Sequence, residues 1–207
     1  QVQLFTNGIK LADRAYCEEL CSMGIQVNFS FDGTEPEIYK TLRGDNALAV
    51  KRKAFRNVIE CGVNKLAVIS TVAEGVNDAN MSAILEFIHE HKEHVSVWGF
   101  VPLTPCWESK DLKLEPTTTE CVERIFESMI PDIEFVPTGM MKFEVLSRFF
   151  GRQTLGGSHP NCESATLLVS DGSRYVPISS YLTTSLSQLL ARLRNVDQDL
   201  LSEVRES

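Results

Sequence analysis

Polar side chains at the ends of apolar segments hold most of the chemistry in this sequence. In Val27-Asn28-Phe29-Ser30-Phe31-Asp32-Gly33, apolar and polar residues alternate with the period of a strand. Ser30 and Asp32 therefore face the same way, one pleat apart, and Gly33 frees the following turn. A hydroxyl and a carboxylate at a strand's C-terminal end are what α/β folds present to ligands. An ordinary strand–turn–helix corner is the alternative. Glu74-Gly75 follows another apolar segment, and the two acidic turns would converge above one end of a parallel sheet. His159-Pro160-Asn161-Cys162 follows Gly156-Gly157-Ser158 and offers an imidazole and a thiolate for a metal or a cluster. Cys106 and Cys121 are the cysteines available to complete such a set. A tight turn with an inert thiol is the competing reading. Cys17 and Cys21 share a helical face, but Gly24 stands where a C-x3-C-x2-C run needs its third cysteine. With no third cysteine nearby, they are taken as structural thiols. There is no phosphate loop, dinucleotide fingerprint or nucleophile elbow.

Alternating strands and helices must position these groups. Strands are expected at Val2–Thr6, Ile25–Phe31, Lys65–Val72 and Val95–Val101. Helices are expected at Lys10–Met23, over Ile38, Tyr39 and Leu42 before Arg43-Gly44, at Ala47–Cys61 and from Asn77 or Asp78 to about His91. Thr34 is expected to cap the helix that opens at Pro36. Four strands separated by helical segments imply parallel pairing with right-handed crossovers. Such a unit is either a small open sheet or part of a larger barrel. After Pro102 the pattern changes. A helix is expected at Thr117–Met129 and another at Lys142–Phe150. Thr166–Val169 and Tyr175–Ile178 are expected to form a hairpin with an Asp171-Gly172 turn. Leu182–Val204 is expected to be helical.

Composition narrows the classes. The 207 residues, 43% of them apolar, can bury a substantial core. A net charge of −8 argues against a nucleic-acid partner. No apolar run approaches the roughly 18 residues of a membrane-spanning helix. The six cysteines suit a reducing cytoplasm better than a disulfide framework in a chain this long. The chain opens at Gln1 almost inside a strand, with neither initiator methionine nor signal peptide, and is expected to lack an upstream part.

Leu4-Phe5-Thr6-Asn7-Gly8, Val27–Gly33, Ile38–Gly44 and Thr71-Val72-Ala73-Glu74-Gly75-Val76-Asn77, in this order and spacing, resemble the later strands of a radical S-adenosylmethionine (SAM) enzyme. The resemblance covers Val2 to about Pro105. Phe135-Val136-Pro137, His159–Cys162 and the hairpin resemble the C-terminal part of the tetraether-lipid-synthase-like branch, which includes proteins described as pterin methylases. The resemblance implies an α/β fold: a partial (β/α) TIM-like barrel over 1–105, an auxiliary segment with a cluster loop and hairpin over 106–181, and a C-terminal helix over 182–207. It implies that Thr6, Asn7, Ser30, Asp32, Arg43, Thr71, Asn77 and Pro102 wall the SAM site. Ser30 and Asp32 would reach its ribose or methionine end and Arg43 its carboxylate, while the backbone at Val101-Pro102 would face adenine. Cys162, with Cys106 and Cys121, would hold an auxiliary iron–sulfur cluster. This chain has Gly156-Gly157-Ser158 where the branch often carries a further cysteine.

In such enzymes a [4Fe-4S] cluster on a C-x3-C-x2-C loop cleaves SAM to a 5'-deoxyadenosyl radical. That loop and the glycine-rich motif of the second strand are absent here, and the main cluster ligands are expected upstream. The chain alone is therefore expected to be inactive, and it offers no assigned catalytic residue. The implied whole enzyme is an oxidoreductase or transferase forming a C–C bond on, or methylating, a lipid or pterin. It would take electrons from a ferredoxin or flavodoxin, in the cytoplasm or at a membrane periphery. A peptide-maturation branch of the same superfamily is a further reading. A free-standing α/β binding or scaffold domain without redox chemistry is the alternative from another class.

Overall fold

Apolar segments rich in Val, Ile and Phe make up one sheet. In the computed structural model, which describes residues 2–63, 65–104, 114–137 and 163–193, β1 (Gln3–Thr6), β2 (Gln26–Ser30), β3 (Leu66–Val72) and β4 (Val95–Pro102) lie side by side in chain order. All three pairings are parallel. Parallel neighbours need a crossover, and helices supply it. These are α1 (Arg14–Ser22) between β1 and β2, α2 (Pro36–Arg43) and α3 (Leu48–Glu60) between β2 and β3, and α4 (Met81–Glu90) between β3 and β4. The result is a mixed α/β unit compatible with a partial β/α fold. Two compact units divide the chain, Gln1–Val122 and Glu123–Ser207.

Registers assign the faces. Leu4 lies opposite Val27, Phe29 opposite Val68, and Val68 opposite Trp98. One face carries Val27, Phe29, Phe31, Val68 and Val72, all fully buried. Helix side chains close over it. Phe29 meets Phe55 of α3 edge-on at 5.8 Å, and Phe31 stacks on Phe87 of α4 at 4.9 Å. Each fully buried side chain of this size contributes about 1.5–3 kcal/mol. The other face carries Phe5, Asn28, Ser30, Ala67, Ile69, Thr71, Val97 and Val101 by the same registers. Phe5, Val97 and Val101 are exposed there.

Helix ends follow local chemistry, with departures. Pro36 opens α2, Glu37 lies in its first turn and Arg43 in its last, and Gly44 ends it in the left-handed conformation (φ 76°). The expected helix over 10–23 is two pieces. A one-turn helix spans Ile9–Ala12, and Asp13 then caps α1 by accepting from the Tyr16 amide at 3.1 Å. Thr34 is not the cap of α2. That place belongs to Glu35, and Thr34 bonds Asn80 instead. Asn77 and Asp78 begin a one-turn helix ahead of α4, with no side-chain cap.

In the second unit α5 (Thr119–Met129) enters from the first. β5 (Val136–Pro137) pairs antiparallel with β6 (Ser164–Ala165), a pairing the sequence pattern did not suggest. The expected hairpin is β7 (Leu168–Ser170) and β8 (Tyr175–Pro177). Its turn is four residues rather than Asp-Gly alone. Asp171 Oδ1 accepts from the Ser173 and Arg174 amides, which pulls the carboxyl down to about 2. α6 (Leu186–Leu193) packs Leu186 and Leu190 against Val136. The expected helix at 142–150, Cys106, the His159–Cys162 motif and the chain beyond 193 lie outside the described residues.

Candidate functional site

The parallel strands deliver their C-terminal ends to one edge, and most of the predicted site residues lie along it. Asp32 is fully buried just past β2. Its Oδ1 accepts from the Thr71 amide at 2.9 Å, and its Oδ2 accepts from Arg43 Nε and Nη2, each at 3.0 Å. Arg43 Nη2 also donates to Thr71 Oγ1 at 2.9 Å. Asp32, Arg43 and Thr71 therefore form one constellation, although Arg43 comes from the last turn of α2. The Arg43 side chain stays 44% exposed. A buried carboxylate thus fixes a guanidinium at the edge through Nε and Nη2, and leaves Nη1 to donate to an anionic ligand.

Asn77 supports this edge from below. It is fully buried, its Oδ1 accepts from the Ala73 amide, and its Nδ2 donates to the Asp32 and Thr71 carbonyls at 2.8 and 2.7 Å. Both amide hydrogens are committed to backbone. Thr6 Oγ1 accepts from the Gly8 amide and Asn7 Oδ1 from the Ile9 amide, so both shape the turn after β1. Gly8 has φ 79°, and a Cβ there would lie 2.3 Å from the Phe29 ring. Only glycine fits. Pro102 lies opposite Val72 at the end of β4, and its carbonyl accepts from Thr104 Oγ1. Cys121 is half-buried, with its Sγ 3.5 Å from Glu74 Oε2. Cys106 and Cys162 lie outside the described residues, so the three are not compared.

Several residues enter that the sequence reading passed over. Lys51 of α3 is buried, and its Nζ donates to the Asn7 carbonyl at 2.9 Å and the Ser30 carbonyl at 2.6 Å. Its Nζ lies over the Phe29 and Tyr39 rings. Burial pulls its pKa down to about 8, with Asp32 opposing and Arg43 reinforcing the shift. The signal was present: Lys51 stands on the buried stripe of Ala47, Ala54 and Val58. Asn28 is buried on the face shared with Ser30, and its Nδ2 has no hydrogen-bond partner among the described residues. An unsatisfied buried donor is costly, and a water or a ligand acceptor would satisfy it.

The largest correction concerns Cys17 and Cys21. Both were set aside for want of a third cysteine, yet packing of α1 on α3 brings Cys61 to them. Cys17 Sγ lies 3.9 Å from Cys21 Sγ and 3.8 Å from Cys61 Sγ, and all three sulfurs fall within 4.8 Å of one another. Burial pushes the Cys17 and Cys21 thiols up. No local spacing links positions 17 and 61, so only the tertiary contact reveals the trio.

The chain resembles proteins of known activity. It is 28% identical over 193 residues to 7,8-dihydro-6-hydroxymethylpterin dimethyltransferase of Methanocaldococcus jannaschii, covering 87% of this chain and 38% of that protein. It is 34% identical over 97 residues to a probable GTP 3',8-cyclase of Methanococcus aeolicus, covering 42% of this chain and 31% of that protein. A GTP 3',8-cyclase of Syntrophomonas wolfei is 31% identical over 105 residues, again 31% of its own length. No family model matches the chain. These relatives support a relationship to the radical SAM superfamily and to enzymes. The chain spans little more than a third of the longest-matching relative's length.

Proposed function

We propose that this chain forms the SAM-facing wall of a radical SAM enzyme, with β1–β4 as part of a (β/α) barrel. The observation that carries the reading is the half-exposed Arg43 guanidinium, fixed by buried Asp32 where parallel strands end. Arg43 binds the SAM carboxylate. Asp32 orients Arg43 and ties β2 to β3, and with Ser30 it stands toward the ribose or methionine end. Ser30 and the backbone at Pro102 line the same edge. The Asn28 amide, without a partner among the described residues, supplies a donor on the face it shares with Ser30.

When bound beside a reduced [4Fe-4S] cluster, SAM supplies a 5'-deoxyadenosyl radical for hydrogen abstraction. The residues here fit the SAM end of that arrangement and not the cluster end. The sequence has no C-x3-C-x2-C run, and Cys17, Cys21 and Cys61 belong to the helical layer. The cluster ligands are proposed to come from residues beyond these 207. Cys121, with Cys106 and Cys162, remains our proposed set for an auxiliary cluster.

We place the enzyme in the branch that includes tetraether-lipid-synthase-like proteins and pterin methylases, and favour methylation of a pterin-like heterocycle over lipid chemistry. The match over 87% of this chain to a pterin dimethyltransferase supports that choice. A one-electron donor such as a ferredoxin or flavodoxin completes it. No helix among the described residues is long and apolar enough to cross a membrane. We place the enzyme in the cytoplasm or at a membrane periphery. The test is anaerobic. Full-length protein reconstituted with iron and sulfide, given SAM and dithionite, should release 5'-deoxyadenosine, and Arg43→Ala should sharply reduce it. An iron–sulfur-loaded wild type that leaves SAM intact would overturn the reading.

A further inference from the structure

We propose that Cys17, Cys21 and Cys61 form a trithiolate site for a thiophilic divalent cation of the zinc type, separate from the SAM edge. Three observations carry it. The first is metric. Zinc–thiolate bonds of about 2.3 Å at tetrahedral angles set ligand sulfurs about 3.8 Å apart. Cys17 Sγ stands 3.9 Å and 3.8 Å from its two neighbours, so two of the three edges already have that length, and the third closes within 4.8 Å. Thiols in S–H···S contact also stand at such distances; what favours an ion is that a third sulfur joins the pair within the same 4.8 Å.

The second is access and charge. Cys17 is fully buried and anchors the floor, while Cys21 and Cys61 are half-buried and open toward solvent. An ion can enter, and a water can take the fourth position. Three thiolates around a divalent ion leave one net negative charge. The Arg14 guanidinium, which bridges Glu18 and Glu60 at 2.6 Å each, also interacts electrostatically with Cys21 and Cys61 and offsets that charge only in part. Binding proceeds by exchange of three thiol protons for the ion, with no change of oxidation state.

The third is location. Crossover helices run antiparallel to the strands they join, so Cys21, late in α1 and just before β2, and Cys61, after α3 and just before β3, belong to the N-terminal ends of the strands. Asp32, Arg43 and Thr71 mark the opposite, C-terminal ends. A metal at the trio cannot reach a ligand at Arg43. It would staple α1 to α3 and so act on the fold.

The test uses the 207-residue chain, shown folded by circular dichroism, with Cys106→Ser, Cys121→Ser and Cys162→Ser, kept reduced with a phosphine and titrated with Co²⁺. Only the proposed thiols then remain. The expected result is one equivalent of cobalt per chain, with a thiolate-to-cobalt charge-transfer band and intense tetrahedral visible bands that Zn²⁺ bleaches by displacement. Adding Cys61→Ser, in a chain shown folded by circular dichroism, should abolish the charge-transfer band. Absence of the band in the triple variant, or its survival after both Cys21→Ser and Cys61→Ser, would overturn the proposal. Neither result depends on SAM.

Discussion

Asp32 and Lys51 are buried charges at the strand edge, and each is held by a different logic. Asp32 has its oxygens filled by the Thr71 amide and Arg43. Arg43→Ala removes a charge-assisted pair from a buried carboxylate, so we expect a loss of about 1.5–3 kcal/mol in urea unfolding. A variant as stable as wild type would show the pair to be idle. Lys51 is a buried cation held by carbonyls, with its pKa drawn down to about 8 by burial. Below pH 8 both folded and unfolded chains carry its charge, and the desolvation cost is fully present. Between pH 8 and the ordinary value of 10.5 the unfolded chain binds a proton that the folded chain has released. Stability therefore rises with pH through that window. Relative to Lys51→Met, wild type should gain about 3 kcal/mol across it, as read by urea unfolding at stepped pH. A difference that stays flat or falls would contradict the shift. Gly8 tests the turn after β1. Gly8→Ala meets both a left-handed backbone and the Phe29 ring, so we expect about 2–4 kcal/mol of destabilisation.

At the scale of elements, the period of two in Val27–Phe31 and the apolar stripes of α3 and α4 were legible, because each buries one face against its neighbours. Caps were less legible. Thr34, Asn77 and Asn80 have the right chemistry for helix N-termini, but long-range partners took them: Thr34 bonds Asn80, and Asn77 bonds the Asp32 carbonyl. Glu134 shows the same thing in the second unit. It caps α6 from far away in sequence, accepting from the Leu186 amide and the Ser187 amide and hydroxyl. Burial alone would raise its carboxyl, but these hydrogen bonds outweigh it and hold the group below the usual range. Glu134→Ala should therefore cost α6 about 1 kcal/mol and speed hydrogen exchange at the Leu186 and Ser187 amides. Unchanged exchange would mean that the cap is dispensable.

For the whole molecule, sheet order is the informative quantity. Strands that pair in chain order, with Phe29 and Phe31 packed under α3 and α4, leave the opposite face for Asn28, Ser30 and Thr71. That order was readable from alternating strands and helices. Ser30 and Asp32 were readable together from the alternation of β2, whereas Arg43, which the structure joins to Asp32, was readable only through the resemblance. Cys61 was hidden, because the packing of α1 on α3 brings it to Cys17, more than forty residues away. The central claim is that this strand edge binds SAM through an Asp32-positioned Arg43. The most direct measurement is calorimetric titration of SAM into anaerobically reconstituted full-length protein and its Arg43→Ala variant, both verified as folded and equally iron-loaded. The account predicts at least about a tenfold loss of affinity in the variant, a deficit of about 1.4 kcal/mol. Equal affinity in the two proteins would contradict it.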